Sequence, residues 1–186
     1  MITSDSKESQ TAQGVIAFWK QAGPERWFKK DDAFDETFRQ AFFALHFKAA
    51  ARELEQWMDT AEGALALLIL LDQYPRNAFR GTAHMFATDS LACFYAHRMV
   101  QDALDKQIPG QLRMFCYLPF EHSENEDDQK LSVQLNRNLD PKDLKWALEH
   151  ARIIERFGRF PHRNELLGRV TTPDERDFLS SGGFSG

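Results

Sequence analysis

The stretch TAEGALALLILLDQYPRNAFRGT, Thr60 to Thr82, holds the longest purely apolar run of the chain, the eight residues Ala64 to Leu71. A helix needs about 20 apolar residues to cross a bilayer, so this run does not span one. With no polar face it reads as a helix buried on all sides. Thr60 is placed to cap that helix, and Glu62 in its first turn suits the positive end of the helix dipole. Pro75 lacks the N–H that would continue the ladder and is read as the helix end.

The flanking sequence has the same character. Ala12 to Gln21 forms a helix with Val15, Ile16 and Trp19 inward, stopped by Gly23-Pro24. Asp31 and Asp32 cap a second helix whose Phe34, Phe38, Phe42 and Leu45 make one aromatic stripe, read as core. Leu54 to Asp59 is a short link. A long helix is expected over Ala83 to Lys106, with Phe86, Leu91, Phe94, Tyr95 and Met99 buried, closed by Pro109-Gly110. Leu112 to Leu118 reads as a brief helix stopped by Pro119. Leu131, Val133 and Leu135 alternate as a strand would, but Leu131/Leu135 also fits a helix and no partner strand exists, so the segment is read as helix. Asp140-Pro141 starts a helix that runs to Phe157 with Gly158 as its left-handed cap. A turn follows at Asn164 to Leu167, and Thr172-Pro173-Asp174-Glu175 opens a last helix ending near Leu179. The class is all-α, in antiparallel helix pairs with short connections. One helical domain is expected over residues 12–179, between a disordered tail (1–11) and a flexible Gly/Ser-rich tail (180–186).

Composition agrees. The 186 residues are 42% hydrophobic and 27% charged, with 16 Phe among the aromatics, an ordinary globular balance. The net charge of −5 equals the surplus in one acidic stretch: Glu121, Glu124, Glu126, Asp127 and Asp128, with no Lys or Arg among the five. Such a chain lacks the basic footprint of a nucleic-acid binder, and the best local patch, Arg152, Arg156, Arg159, Arg163 and Arg169, is interrupted by Glu155 and Glu165. Cys93 and Cys116 are far apart and outside any CxxC pattern, which fits a reducing compartment and argues against a disulfide framework or a thiolate zinc site. The N-terminus has no apolar signal core. A cytoplasmic protein with no membrane and no nucleic-acid partner is expected.

Three helix ends carry the polar chemistry. The first is Leu71-Asp72-Gln73-Tyr74-Pro75-Arg76-Asn77, then Phe79-Arg80-Gly81. The second is Leu118-Pro119-Phe120-Glu121-His122-Ser123-Glu124. The third is Arg156-Phe157-Gly158-Arg159-Phe160-Pro161-His162-Arg163-Asn164. The first and third share an order of aromatic, Pro, Arg and Asn. Proline sets the chain direction, the aromatic anchors it, and the Arg offers a planar fork of donors that suits carboxylate or phosphate. Arg76, Asn77, Arg80, Arg159, Arg163 and Asn164 are therefore candidate ligand-binding residues for a small anion. The alternative is that they tie up the carbonyls a helix end leaves without partners.

Glu121, His122 and His162 are the candidates for handling protons. Glu121-His122-Ser123-Glu124 allows three readings: a metal ligand set, an acid/base pair, or a helix start with Ser123 as cap and Glu124 and Glu126 in the first turn. His162 lies beside Arg163, which would favour its neutral, basic form. His150 lies on a helix line with Trp146, Ile153 and Phe157 and is read as a hydrogen-bonded core residue. Asp72, at the unfavourable end of a buried helix, calls for a cationic partner such as Arg76 or Arg80. No nucleotide-binding glycine loop, GxSxG elbow or Cys-His arrangement occurs, and neither a cofactor nor a metal site is read.

The blocks LDQYPRNAFRGT (Leu71 to Thr82), FATD (Phe86 to Asp89), PFEHSE (Pro119 to Glu124) and RFGRFPHRN (Arg156 to Asn164) resemble the signature of domain-of-unknown-function family 924, over roughly Gly14 to Leu179. The resemblance implies a tetratricopeptide-like, right-handed array of antiparallel helix pairs, and it implies no activity. Two functions follow as expectations. One is a small anionic ligand held where the three loops converge, with proton chemistry from Glu121, His122 or His162. The other is a peptide-binding module on a concave helical surface.

Overall fold

The computed structural model describes residues 10–184 and, among them, helices and turns with no strand. The tail read over residues 1–11 lies outside the described residues except for Gln10 and Thr11. The chain divides into two compact units. One runs up to Arg80 and resumes over His84–Pro119, and the other takes Gly81–Ala83 and the chain from Phe120 onward.

The first unit contains α1 (Ala12–Ala22), α2 (Pro24–Trp27), α3 (Asp32–Ala50), α4 (Ala61–Leu68), α5 (Tyr74–Ala78) and α6 (Asp89–Gln101). Thr11 caps α1 by accepting the Gly14 N–H, and Gly23 at φ +70° ends it in a conformation that favours glycine. Asp31 caps α3 through the Ala33 and Phe34 N–H groups. The aromatic stripe Phe34, Phe38, Phe42 and Leu45 is buried, and Phe38 lies 5.2 Å from Phe18 and 5.3 Å from Trp19 across the α1 face. All of α4 except Glu62 is buried.

Helix α4 does not end at Pro75. It widens into a π-turn over Ile69–Gln73 and continues as α5. The cause is the proline itself. The Tyr74 N–H bonds the Ile69 carbonyl, one residue further back than in an α-helix, and Pro75 has no N–H to give. Leu70 and Leu71 are thereby left with carbonyls to be satisfied from elsewhere. His46 Nδ1 lies 3.0 Å from the Leu70 oxygen, and the Thr88 hydroxyl donates to Leu71 at 2.5 Å. A buried helix with two open carbonyls is thus tied to α3 and to the start of α6.

The long helix expected over Ala83 to Lys106 is broken. A 3-10 turn (Ala83–Phe86) precedes α6, which stops at Gln101 before Ala103 takes a positive φ of 55°. The buried face of α6 is Ala92, Cys93, Tyr95, Ala96 and Met99, and Phe94 is exposed. Small Ala92 and Ala96 on that face let the helix approach closely, Tyr95 packs inward beside them, and Phe94 turns outward. The segment after Pro109 is 3-10 (Gly110–Cys116), and Pro119 lies inside the next single turn, α7 (Leu118–Glu121), instead of before it.

The second unit is built on α8 (Glu126–Asn136), α9 (Pro141–Phe157) and α10 (Pro173–Ser180), with α8 packed along α9. The segment Leu131 to Leu135 is helix, as its i,i+4 spacing predicts. Its fully buried face is polar, however: Gln129, Ser132 and Asn136. Asn136 Nδ2 returns to the Ser132 carbonyl at 3.0 Å. On α9, Asp140 caps the start, Gly158 at φ +68° ends the helix, and Ile153 and Ile154 join Phe160 in a small apolar core. Thr172 and Glu175 form a reciprocal capping box at α10.

Candidate functional site

In the first unit the predicted cations meet carboxylates of the same unit. Arg76 makes a two-pronged pair with Asp89 (2.8 and 3.0 Å), donates to the Asp72 carbonyl at 2.6 Å and lies 3.3 Å from the Asp72 carboxylate. Asp72 is 1% exposed, and Arg76 is the cationic partner its position requires. Burial disfavours the Arg76 charge, but the two carboxylates outweigh it and raise its pKa. Asn77 Nδ2 donates to Asp35 at 2.7 Å, and Arg80 holds the same carboxylate at 2.8 Å.

Beside them, His46 and His84 face each other with Nε2 atoms 3.0 Å apart. Their ring centres are 5.2 Å apart. That excess over the nitrogen separation is nearly the full two ring radii, so the nitrogens meet head-on, as in a hydrogen bond and not as in a chelate. With Nδ1 donating to Leu70, neutral His46 presents an acceptor and His84 donates. Burial lowers the His46 pKa, outweighing the support of the Leu70 carbonyl. A surface cavity of about 200 Å³ in this unit, lined by Phe18, Gln21, Ala22, Arg26, Asp31, Ala33, Phe34 and Thr37, contains none of the predicted site residues.

In the second unit the second and third loops meet. Phe160, fully buried, is the hub. Its N–H donates to Glu124 at 2.9 Å, and the Arg163 guanidinium lies 4.5 Å over its ring. The rings of His150 and His162 lie 5.5 and 5.6 Å from it. Arg163 also donates to the His122 carbonyl at 3.0 Å, and the His122 ring is 6.2 Å from that of His150.

Glu121, the third member of the predicted acid/base set, is 4% exposed and pairs with the 6% exposed His150 at 3.3 Å. His150 Nδ1 also lies 2.9 Å from the Trp146 carbonyl. Both neighbours of that nitrogen are oxygens, so the proton of the neutral ring belongs on Nδ1 and the lone pair on Nε2. A carboxylate that fixes an imidazole in this tautomer equips it to take and return a proton. His150 is the residue that sequence reasoning set aside. Its hydrogen bond to the core was legible from the helix line, and its carboxylate partner was not.

The remaining predicted residues are held by Glu175. Arg159 grips that carboxylate at 2.6 and 2.8 Å, Asn164 donates to it at 3.2 Å, and the Thr172 N–H donates at 2.7 Å. Arg159 above all, and then the Thr172 and Asn164 donors, hold the Glu175 pKa down at about 2 against its burial. Glu124 takes Arg169 at 2.8 Å. Burial works against its charge, but Arg169 and the Phe160 N–H prevail and keep its carboxyl below its ordinary value.

The helix-start reading of this segment needs correction. The cap of α8 is Asn125, which accepts the Asp127 and Asp128 N–H groups, and the first-turn acids are Glu126, Asp127 and Asp128. Ser123 instead accepts the Asn125 N–H and donates to Asp128. Gln129 Nε2, buried under the loop, lies within 3.2 Å of the Phe120, Glu121 and Ser123 carbonyls. Asp35, Asp89 and Glu175 are the carboxylates that sequence reasoning did not connect to the loops. The capping-box spacing of Glu175 was the signal within reach.

The family model described as a bacterial protein of unknown function, DUF924, matches residues 15–183. No curated protein matches the chain. A solved structure from Agrobacterium tumefaciens, the protein of unknown function ATU0120, is similar at 50% identity and a TM-score of 0.91, over 94% of this chain and 99% of that one. With a match across nearly all of its length and a fold shared at that identity, the chain belongs to the DUF924 family of bacterial proteins.

Proposed function

We propose that the chain binds a small anionic ligand in its second unit, among His122, His150, His162 and Arg163, and that the Glu121–His150 pair handles a proton there. The observation that carries this reading is the carboxylate–imidazole contact of 3.3 Å between two buried side chains. Arg163 brings a guanidinium into the same residue group through Phe160. In this proposal Arg76, Asn77 and Arg80 are ties within the first unit and Arg159 and Asn164 ties within the second, since Asp35, Asp89 and Glu175 balance their charge or fill their donors. The test is thermal unfolding of the purified chain with inorganic phosphate and with acetate. A probe at about a hundred times its dissociation constant raises the midpoint by roughly 5–10 °C. The rise disappears in Arg163→Ala and shrinks in Glu121→Gln. No rise with either probe from pH 5 to pH 8 overturns the reading.

One observation favours a second reading, a tetratricopeptide-like array of antiparallel helix pairs that holds a peptide. Phe43 and Phe47 on α3 are exposed, with rings 4.9 Å apart and Phe79 beside them at 6.4 and 6.3 Å. Peptide capture lost in Phe43→Ser and kept in Arg163→Ala would select it.

A further inference from the structure

We propose that the ligand of the second unit is an aryl carboxylate, and that the chain's own Phe184 occupies the aryl slot when no ligand is bound. The inference rests on the anion-binding reading above.

Phe184 follows α10 in a segment, SSGGF, whose composition reads as flexible. Two glycines there have defined work. Gly182 takes φ +84°, which favours glycine, and a Cβ on Gly183 would come within 2.6 Å of the Phe178 carbonyl oxygen and 2.7 Å of the Phe178 ring. The Gly183 N–H closes the turn on that same carbonyl at 3.0 Å. The turn is closely packed against Phe178, and Phe184 follows it onto the histidines.

The Phe184 ring meets His150 at 4.5 Å and His162 at 5.2 Å, both edge to face, with Trp146 at 6.3 Å. It is partly buried against the Ile153, Ile154 and Phe160 core. Of the two imidazoles it touches, His150 belongs to the proposed proton pair and His162 to the proposed ligand group. A slot walled by Trp146, His150, His162 and the Phe160 core accepts a planar ring, because aromatic walls gain from edge and offset contacts with a flat guest. The negative end of such a ligand belongs to the anion-binding group of the reading above, in which Arg163 is the residue after His162. A free ligand and Phe184 then compete for one place, and the affinity of the intact chain is lowered by the fraction of time Phe184 is seated.

The test compares the intact chain with Phe184→Ala and with Gly183→Ala, which displaces the turn without removing the ring. The probe is 3-phenylpropionate, with acetate and inorganic phosphate alongside, measured by calorimetry at one ionic strength. Both variants are expected to bind 3-phenylpropionate about tenfold tighter than the intact chain, with acetate and phosphate changed little. As a second reading on the intact chain, a titration with 3-phenylpropionate should shift the proton resonances of His150 and His162 as Phe184 leaves. The aryl slot is overturned, with anion binding still standing, if phosphate or acetate binds and 3-phenylpropionate binds no better in either variant. It is also overturned if the phenyl probe binds equally to all three proteins. If no probe binds to any of them, anion binding itself fails and the slot with it.

Discussion

YPRN at Tyr74–Asn77 and FPHRN at Phe160–Asn164 are nearly the same sentence with two outcomes. The shared part is the Asn. In each loop it donates to a buried carboxylate that a nearby arginine also grips: Asn77 and Arg80 on Asp35, Asn164 and Arg159 on Glu175. The difference is the Arg. Arg76 is enclosed by Asp72 and Asp89, whereas Arg163 lies over Phe160 and donates to a backbone carbonyl beside three histidines. One motif therefore builds an internal tie in the first unit and, in the second, part of the group for which we propose anion binding. What separates them is the partner each arginine meets, which comes from a distant part of the chain.

The comparison can be broken most directly by removing each arginine. Arg76→Ala leaves the carboxylates of Asp72 and Asp89 without their cation, and a lost partner in a buried pair costs about 3–5 kcal/mol. Arg163→Ala removes at least a hydrogen bond to the His122 carbonyl and the contact with the Phe160 ring, which together cost about 1–2 kcal/mol. Urea unfolding midpoints read both. Equal losses would mean that Arg163 is as much a structural tie as Arg76.

The two units should also part in their response to pH. Glu175, held at about 2 against an ordinary 4.5, binds fewer protons folded than unfolded between those values. Its contribution is complete above about pH 4.5 and is lost as pH falls toward 2. Glu175→Gln should flatten the stability profile in that acid window. His46 acts in the first unit. Its folded pKa lies below the ordinary 6.5, so the unfolded chain takes up the proton first, and stability falls as pH drops below 6.5 through the folded value. The profile of His46→Gln should be flatter there while keeping its loss in the Glu175 window. This is the smallest of the effects, and a profile unchanged by the substitution would deny His46 any part in it.

Much of the fold was legible. Asp31, Thr60, Asp140 and Thr172 cap the helices their types and places predict, and Gly23 and Gly158 end them, whereas Thr11, read as part of the tail, turns out to cap α1. These are local devices, decided by a few neighbouring atoms. Pro75 misled because a π-turn lets a helix pass a proline when other side chains can satisfy the freed carbonyls, and those side chains, His46 and Thr88, stand 24 and 17 residues away. The polar inward face of α8 was hidden for a similar reason: Gln129 is buried by the loop carbonyls it caps, not by its own hydrophobicity.

The same division holds at the site. Residue types and spacing were enough to pick out the three polar loops, to settle an all-helical class and to place the aromatic core, because propensity, capping and periodicity act within a turn or two. Which partner an arginine meets, and whether Glu121 finds His150, depends on contacts between residues far apart in the chain. Burial decides those pairings, since a charge taken out of water must meet whatever partner the packing brings to it.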